Sequence, residues 1–325
     1  MKGKGIRIIL GILVAFVVAA FVFYMMFFGA PQGSAASEQF TVPVGADRAQ
    51  IIAKLSEGGF VKSSWAFGIA LQLRGAGTIQ AGGYKISKAM SAWELAGIIS
   101  QTPYLRWVTI PEGLRKEEIA KIFQEKLGWS DEETRKWISA NTAERNDYFE
   151  GVYFPDTYLI PVDESPLDVA HRLQAKFEEK FAPYAKEAVA QNIKWTTLLK
   201  IASIVQREAA GKSDMPLIAG VLWNRLLKNM KLEVDATVQY ARGDKGKGWW
   251  APLSSSDKQI DSPYNSYKYA GLPPHPIANP GLEAMRAVLH PEMTKCLFYL
   301  HDNSKMIHCA ETYEEHQKNM RTYLR

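Results

Sequence analysis

The stretch TTLLKIASIVQREAAG, Thr196 to Gly211, decides how the rest of the chain is read. Its spacing predicts an amphipathic helix. At about 100° per residue, Leu198, Ile201, Ala202, Val205 and Ala209 fall on one side with Ile204 at its border, and Lys200, Ser203 and Arg207 fall on the other. Thr196 or Thr197 is placed to cap the start, and Gly211 to end it. Glu208 does not join the polar side. It projects between the Ile201 and Ile204 directions, in the last turn. Apolar surroundings and the negative end of the helix dipole both disfavour its anion. A carboxyl that keeps its proton near neutral pH suits a general acid. The plainer reading is a boundary glutamate that bends out to water and pairs with Lys212.

Outward from this helix the chain carries several short motifs in a fixed order. On the C-terminal side come GVLWNRL (Gly220 to Leu226), LEVDATVQY (Leu232 to Tyr240), YNSY (Tyr264 to Tyr267) and GLPPHPIANPG (Gly271 to Gly281); EGVYFPDTY (Glu150 to Tyr158) precedes it. Arg225, near the end of a helix expected over Met215 to Lys228, is a fork of donors suited to a carboxylate or carbonyl, whether on a ligand or in an internal salt bridge to Asp235. Pro155-Asp156 reads as a turn. The tryptophans of KGKGWW (Lys245 to Trp250) suit stacking on sugars, a bilayer surface or plain packing. Rigid turns in the proline-rich Leu272 to Pro280 suit one wall of a cleft.

In their order and spacing these motifs resemble the MltG/YceG family of endolytic murein transglycosylases, most densely from Tyr153 to Gly281. The family's ASI(V/I)EKE reads ASIVQRE here, so Gln206 and Arg207 replace the first Glu and the Lys. Glu208 matches the family's catalytic acid. The resemblance implies that Glu208 protonates the oxygen leaving N-acetylmuramic acid at its β-1,4 bond to N-acetylglucosamine. It then accepts the proton of the muramic C6 hydroxyl, which closes on C1 to leave a 1,6-anhydro end. Intramolecular attack gains from proximity, so a single clear acid suffices where glycoside hydrolysis normally uses two carboxyl groups. By position, Asn224, Arg225, Asp235, Thr237, Tyr240, Tyr264 and Asn265 are the candidate substrate-binding residues. A water-using muramidase with Asp235 as base, and a scaffold that binds peptidoglycan without cleaving it, are the competing readings. Penicillin-binding proteins as partners follow from the family alone.

The chain has 325 residues and a net charge of +5, with 39 basic and 34 acidic residues. That length suggests two domains, and the mild charge excess gives no reason to expect nucleic acid. Five of the six histidines lie after Gly271, without metal-ligand spacing, so neither a metal nor another cofactor is expected. Cys296 and Cys309 lie on what look like neighbouring strands of a hairpin closing around Asn303. Reduced or buried thiols are the favoured state, and a bridge is conceivable outside the cytoplasm. A last helix is expected over Tyr313 to Leu324.

At the other end, Ile8 to Phe28 is a 21-residue apolar run, long enough to cross a ~30 Å hydrocarbon core. Lys2, Lys4 and Arg7 precede it and no basic residue follows until Arg48. The expectation is a single-pass anchor in the bacterial cytoplasmic membrane, N-terminus inside and catalytic part on the outer face. Ser34-Ala35-Ala36 imitates a cleavage site, the signal-peptide alternative; no lipobox cysteine follows. FTVPVG (Phe40 to Gly45) returns 68 residues later as VTIPEG (Val108 to Gly113), a weak repeat in which each turn opens a helix. Ser91 with Glu94, and Ser130 with Glu133, have capping-box spacing. Leu167 to Lys180 reads as a further helix. The strand-helix-helix-strand unit after Phe40 resembles LysM, a glycan-binding module, or is a spacer that binds nothing. The resulting expectation is α+β: residues 1–29 as cytoplasmic tip and transmembrane helix, 30–38 as linker, 39–105 as LysM-like module and 106–325 as the larger catalytic domain. No regular βαβ alternation points to a doubly wound sheet.

Overall fold

A computed structural model describes residues 2–75, 78–140, 142 and 150–324, with side chains of the first helix from Arg7 onward. The side chains of Lys2 and Lys4, on which the expected orientation partly rests, lie outside the described residues. The fold is mixed α+β and divides into two compact units: residues 1–108 with 158–163, and residues 109–157 with 164–325.

The first unit opens with α1 (Lys2–Phe27). Its span Arg7–Phe27 is long and apolar enough to cross a membrane. Then follow β1 (Ser37–Val42), α2 (Arg48–Glu57), α3 (Ser64–Leu73), β2 (Gly82–Ser87), α4 (Ala92–Ile99) and β3 (Leu105–Thr109); β4 (Thr157–Pro161) returns later to complete a four-stranded sheet in the order β1-β2-β3-β4. β1 and β2 pair antiparallel with Phe40 opposite Tyr84. Alternation puts Phe40, Val42, Tyr84 and Ile86 on the inner face, against Ile51, Leu55, Phe67, Leu71, Leu95 and Ile99 of the helices. β2 meets β3 at Gly83 opposite Leu105. A side chain at Gly83 would strike Leu105, so this close crossing needs a glycine. Helix α3 is the second helix of the expected strand-helix-helix-strand unit, but its bounds are not read from the sequence, because SWAFGIALQL is apolar nearly all round and shows no clean 3.6 period. The capping box on Ser91 is formed, with Glu94 Oε2 accepting from the Ser91 amide at 2.8 Å. Both turns of the repeat need left-handed backbone: Gly45 has φ +81° and Gly113 +78°.

The second unit is mostly helical: α5 (Lys116–Leu127), α6 (Asp131–Ser139), α7 (Pro166–Ala190), α8 (Trp195–Glu208), α9 (Met215–Leu227), α10 (Asp235–Arg242), α11 (Leu282–Leu289) and α12 (Tyr313–Tyr323), with a hairpin of β5 (Phe298–His301) and β6 (Ile307–Ala310). The hairpin and last helix agree with expectation, as does the capping box on Ser130. Helix α7 runs ten residues past the expected Lys180, through Pro183 to Ala190. Its apolar stripe continues through Phe181 and Ala188, both buried, and burial outweighs the proline's stop signal. The central helix is α8, which packs against α7, α9, α10 and α11. Its caps differ from expectation. Thr196 and Thr197 lie inside it, Lys194 supplies the extended cap residue without a side-chain bond, and the helix stops at Glu208 rather than at Gly211. Asp214 shapes the exit, its carboxylate accepting the amides of Ala210 and Gly211 at 2.9 and 3.0 Å. Ser203, assigned to the polar side, is fully buried and accepts the Ile277 amide at 3.0 Å. A helix packed on several sides has no solvent face to give it.

Glu150, from the EGVYF segment, is buried and accepts Asn279 Nδ2 at 2.7 Å and the Lys116 amide at 3.2 Å. Burial pushes its carboxyl from 4.5 up to about 8, with the neighbouring Glu117 adding to it and Lys116 and Arg115 opposing. Between those values the folded chain holds a proton that the unfolded chain releases. This residue therefore makes stability fall as pH rises from about 4.5 to about 8. Glu150→Gln keeps the acceptor oxygen without the titration. Urea midpoints measured across that range should show a flatter pH dependence for the variant; the same slope in both proteins would mean that Glu150 is ionised when folded.

Candidate active site

The last turn of α8 delivers Glu208 into a cleft of about 620 Å³ within the second unit. Helix periodicity places Glu208 off the solvent side, and α10 and the hairpin close around it. Tyr299, on β5, donates its hydroxyl to Glu208 Oε2 at 2.8 Å. The Ala236 amide at the start of α10 points at Oε1 from 3.4 Å, a weak contact. Oε1 is thus the oxygen free to carry a proton.

Burial raises the Glu208 pKa above the usual carboxylate value, nearby Asp235 adds to the rise, and the Tyr299 hydroxyl, the Ala236 amide and His301 work against it. The negative end of α8 and the positive end of α10 meet at this carboxyl. Each helix end contributes about 0.3–1 kcal/mol with opposite sign, so they roughly cancel and burial decides. Burial also holds the Tyr299 hydroxyl protonated, well above its ordinary range, with the Glu208 charge beside it acting the same way. A tyrosine kept neutral is a permanent donor.

Asp235 opens α10 on the cleft wall. Its Oδ1 accepts the Tyr267 hydroxyl at 2.6 Å and sits 3.1 Å from Lys258 Nζ, and Lys258 Nζ in turn reaches the Tyr267 hydroxyl at 2.9 Å. Glu233 just before it adopts a left-handed backbone, φ +52°, which turns the chain into the helix.

The other expected site residues divide. Arg225 borders the cleft, but its donors go inward: Nε to the Leu297 carbonyl, Nη1 to the carbonyls of Lys231 (3.0 Å) and Leu232 (2.9 Å) and to Glu233 Oε2 (3.1 Å). Its ion pair is with Glu233, not with Asp235, because the left-handed turn carries Glu233 back over the end of α9. Asn224 donates Nδ2 to the carbonyls of Thr294 (2.8 Å) and Cys296 (3.1 Å). Thr237 is fully buried, its Oγ1 on the Val234 carbonyl and Ser266 Oγ. Asn265 is equally buried and ties the carbonyls of Lys258 and Ile260. Tyr240 and Tyr264 face each other at 4.8 Å, with Arg115 over the Tyr240 ring, and neither borders the cleft. Trp249 and Trp250 are packed under Arg115 and Arg207, and Trp250 donates to Glu118 at 2.9 Å.

Sequence reasoning missed Tyr299, Tyr267 and Lys258. Tyr299 lies 91 residues from Glu208, on a hairpin that carried no chemical signal. Two structural devices fix that hairpin. Asn224 and Arg225 hold the carbonyls leading into β5, and Cys296 is joined to Cys309 by a disulfide, against the expectation of reduced thiols. Cys309 lies on β6 opposite Tyr299, and Cys296, two residues before β5, comes within a Cα–Cα distance of 5.8 Å of it, a proximity that linear spacing does not reveal. One residue pair further along β5, His301 Nε2 meets Asp214 at 2.7 Å, so the strand grips the exit of α8 at two points. Among the described residues no cluster of three or more His, Cys, Asp or Glu is placed to hold a metal.

The profile of the YceG-like family matches residues 40–322. An endolytic murein transglycosylase of Bacillus subtilis is 31% identical over 308 residues, 87% of this chain and 84% of that protein. One from Streptococcus pneumoniae is 28% identical over 313 residues, 86% of this chain; the chain spans 57% of that longer protein. The crystal structure of a YceG-like protein from Listeria monocytogenes superposes with a TM-score of 0.59 at 25% identity, covering 88% of this chain and 99% of that one. With most of its length matched by the profile and by the Bacillus relative, the chain belongs to the YceG-like family.

Proposed function

We propose that this chain is an endolytic lytic transglycosylase that cuts peptidoglycan glycan strands, with Glu208 as its acid and base. The observation that carries the reading is the Glu208 carboxyl, its pKa raised by burial, opening onto a cleft large enough for sugar rings. The relatives named as endolytic murein transglycosylases support it. Glu208 Oε1 gives its proton to the glycosidic oxygen between N-acetylmuramic acid and N-acetylglucosamine, and the bond from C1 to that oxygen breaks. The C6 hydroxyl oxygen bonds to C1 and its proton returns to Glu208, so the carboxyl is restored and no water is consumed. Tyr299 holds Oε2 throughout, aiming the other oxygen at the cleft. Asp235 Oδ1 is already engaged by Tyr267 and Lys258, which argues against its service as the base of a hydrolytic reaction.

α1 holds the enzyme to the bacterial cytoplasmic membrane, N-terminus inside, with the cleft on the outer face beside nascent strands. Cutting within those strands ends their elongation, and penicillin-binding proteins are the partners that this location brings within reach. The LysM-like β-α-α-β unit after Ser37 adds a second glycan contact. The test is mass spectrometry of fragments from peptidoglycan digested by the full-length protein in detergent. Anhydro ends, lighter than reducing ends by one water, are expected; reducing ends would make the enzyme a hydrolase and overturn the reading.

Tyr299→Phe should lower kcat roughly tenfold with little change in KM, the effect of one hydrogen bond to a charged group. The Tyr299 hydroxyl lowers the Glu208 pKa, so its removal lets that pKa rise. The active form is the protonated one, so activity falls as pH rises through this pKa, and the alkaline limb of the kcat profile should move to higher pH in the variant. A limb that stays in place would mean that Tyr299 does not touch the working acid.

A further inference from the structure

The outer end of α1 does not pass into a free tether. Phe28 packs against the core of the first unit, and its carbonyl accepts the Ala92 amide at 2.8 Å. The Gln32 amide donates to the Lys88 carbonyl at 2.9 Å, and Ser87 Oγ donates to the Ala35 carbonyl at 2.8 Å. Residues 30–36 are therefore stitched to the module. A collar of aromatic rings surrounds the exit. Tyr24 stacks on Phe28 at 5.9 Å, Phe28 stacks on Trp93 at 5.8 Å, and Trp65 meets Phe28 at 6.4 Å. Lys62 Nζ caps the helix end on the Met25 carbonyl at 3.0 Å. Trp65, at the start of α3, remains 60% exposed in spite of its contact with Phe28.

The apolar span Arg7–Phe27 is about 31 Å long at 1.5 Å per residue, so a bilayer that encloses it ends near Phe28. The collar then lies at the boundary of acyl chains and headgroups. Tryptophan and tyrosine favour that depth because one edge of the ring is apolar and the other polar, and a lysine there meets anionic headgroups. We propose that Trp65, with Phe28, Trp93 and Lys62, forms a lipid-binding seat by which the module rests on the phospholipid surface rather than swinging from its anchor. The partner is the bilayer interface itself, argued from continuity with the apolar helix that ends in the collar. The inference rests on α1 spanning the membrane and is independent of the reaction assigned to the cleft.

The test uses the full chain reconstituted into vesicles of phosphatidylethanolamine and phosphatidylglycerol whose acyl chains are brominated close to the headgroup. α1 contains no tryptophan, so quenching of tryptophan emission reports on the folded units alone. Quenching is expected in the parent protein and is expected to fall in Trp65→Phe, an exposed substitution that keeps a ring against Phe28, with Trp93 carrying the remainder. Vesicle flotation is run alongside. Protein that floats but is unquenched, or is quenched equally in Trp65→Phe, overturns the seat and leaves the anchor standing. Protein that does not float overturns both.

Discussion

Glu208→Gln should lower the rate of anhydro-end formation by about 10²- to 10⁴-fold, the span of a lost general acid, while leaving the protein folded and able to bind glycan strands. Gln keeps the acceptor that Tyr299 needs but has no proton to deliver. The variant also separates chemistry from stability. Glu208 has a raised pKa, so in the parent the folded state binds its proton more tightly than the unfolded state. Its contribution therefore diminishes as pH rises above the ordinary carboxylate value. Gln removes that loss, so Glu208→Gln should be at least as stable as the parent at alkaline pH. Residual rates near the parent's would remove Glu208 from the mechanism; a variant that fails to bind strands would point to a role in substrate positioning.

Arg225→Ala should cost about 3 kcal/mol of stability, because the carbonyls of Leu232, Lys231 and Leu297 lose a charged donor and buried orphan acceptors cost about 1–3 kcal/mol each. Water entering from the cleft offsets part of the sum. Arg225→Lys should recover only a fraction, since one ammonium cannot serve acceptors spread around a planar fork. The measurement is the urea midpoint of both variants, with KM determined where each is fully folded. A large loss of stability with KM unchanged assigns Arg225 to the scaffold of β5. An unchanged midpoint with a raised KM would instead make it a ligand for the glycan or its stem peptide.

The contrast between these two residues shows what a sequence reveals. Glu208 was legible because its direction on α8 follows from local helical geometry, and its pKa follows from the apolar neighbours that the same geometry assigns. Arg225 was legible only as a chemical type. A guanidinium fork seeks oxygen, and nothing in GVLWNRL says whether that oxygen belongs to a ligand or to the backbone leading into β5. Tyr299, Tyr267 and Lys258 were illegible for a related reason. They are singled out by their contacts with Glu208 or Asp235, and such contacts are set by how α10 and the hairpin dock on α8. Capping boxes at Ser91 and Ser130 were read correctly, since both partners lie within one turn. The caps of α8 were misread because tertiary packing, not a threonine, fixes where that helix starts.

The Cys296–Cys309 bridge spans the hairpin that carries Tyr299, and disulfides persist only in oxidising surroundings. This has a practical consequence for handling the enzyme. Protein produced in a reducing cytoplasm forms such a cross-link at the root of β5 less readily than protein folded under oxidising conditions. Rates from preparations that lack it describe an unbraced hairpin. Redox history therefore belongs beside pH and ionic strength among the conditions to be matched before any two specific activities of this protein are compared.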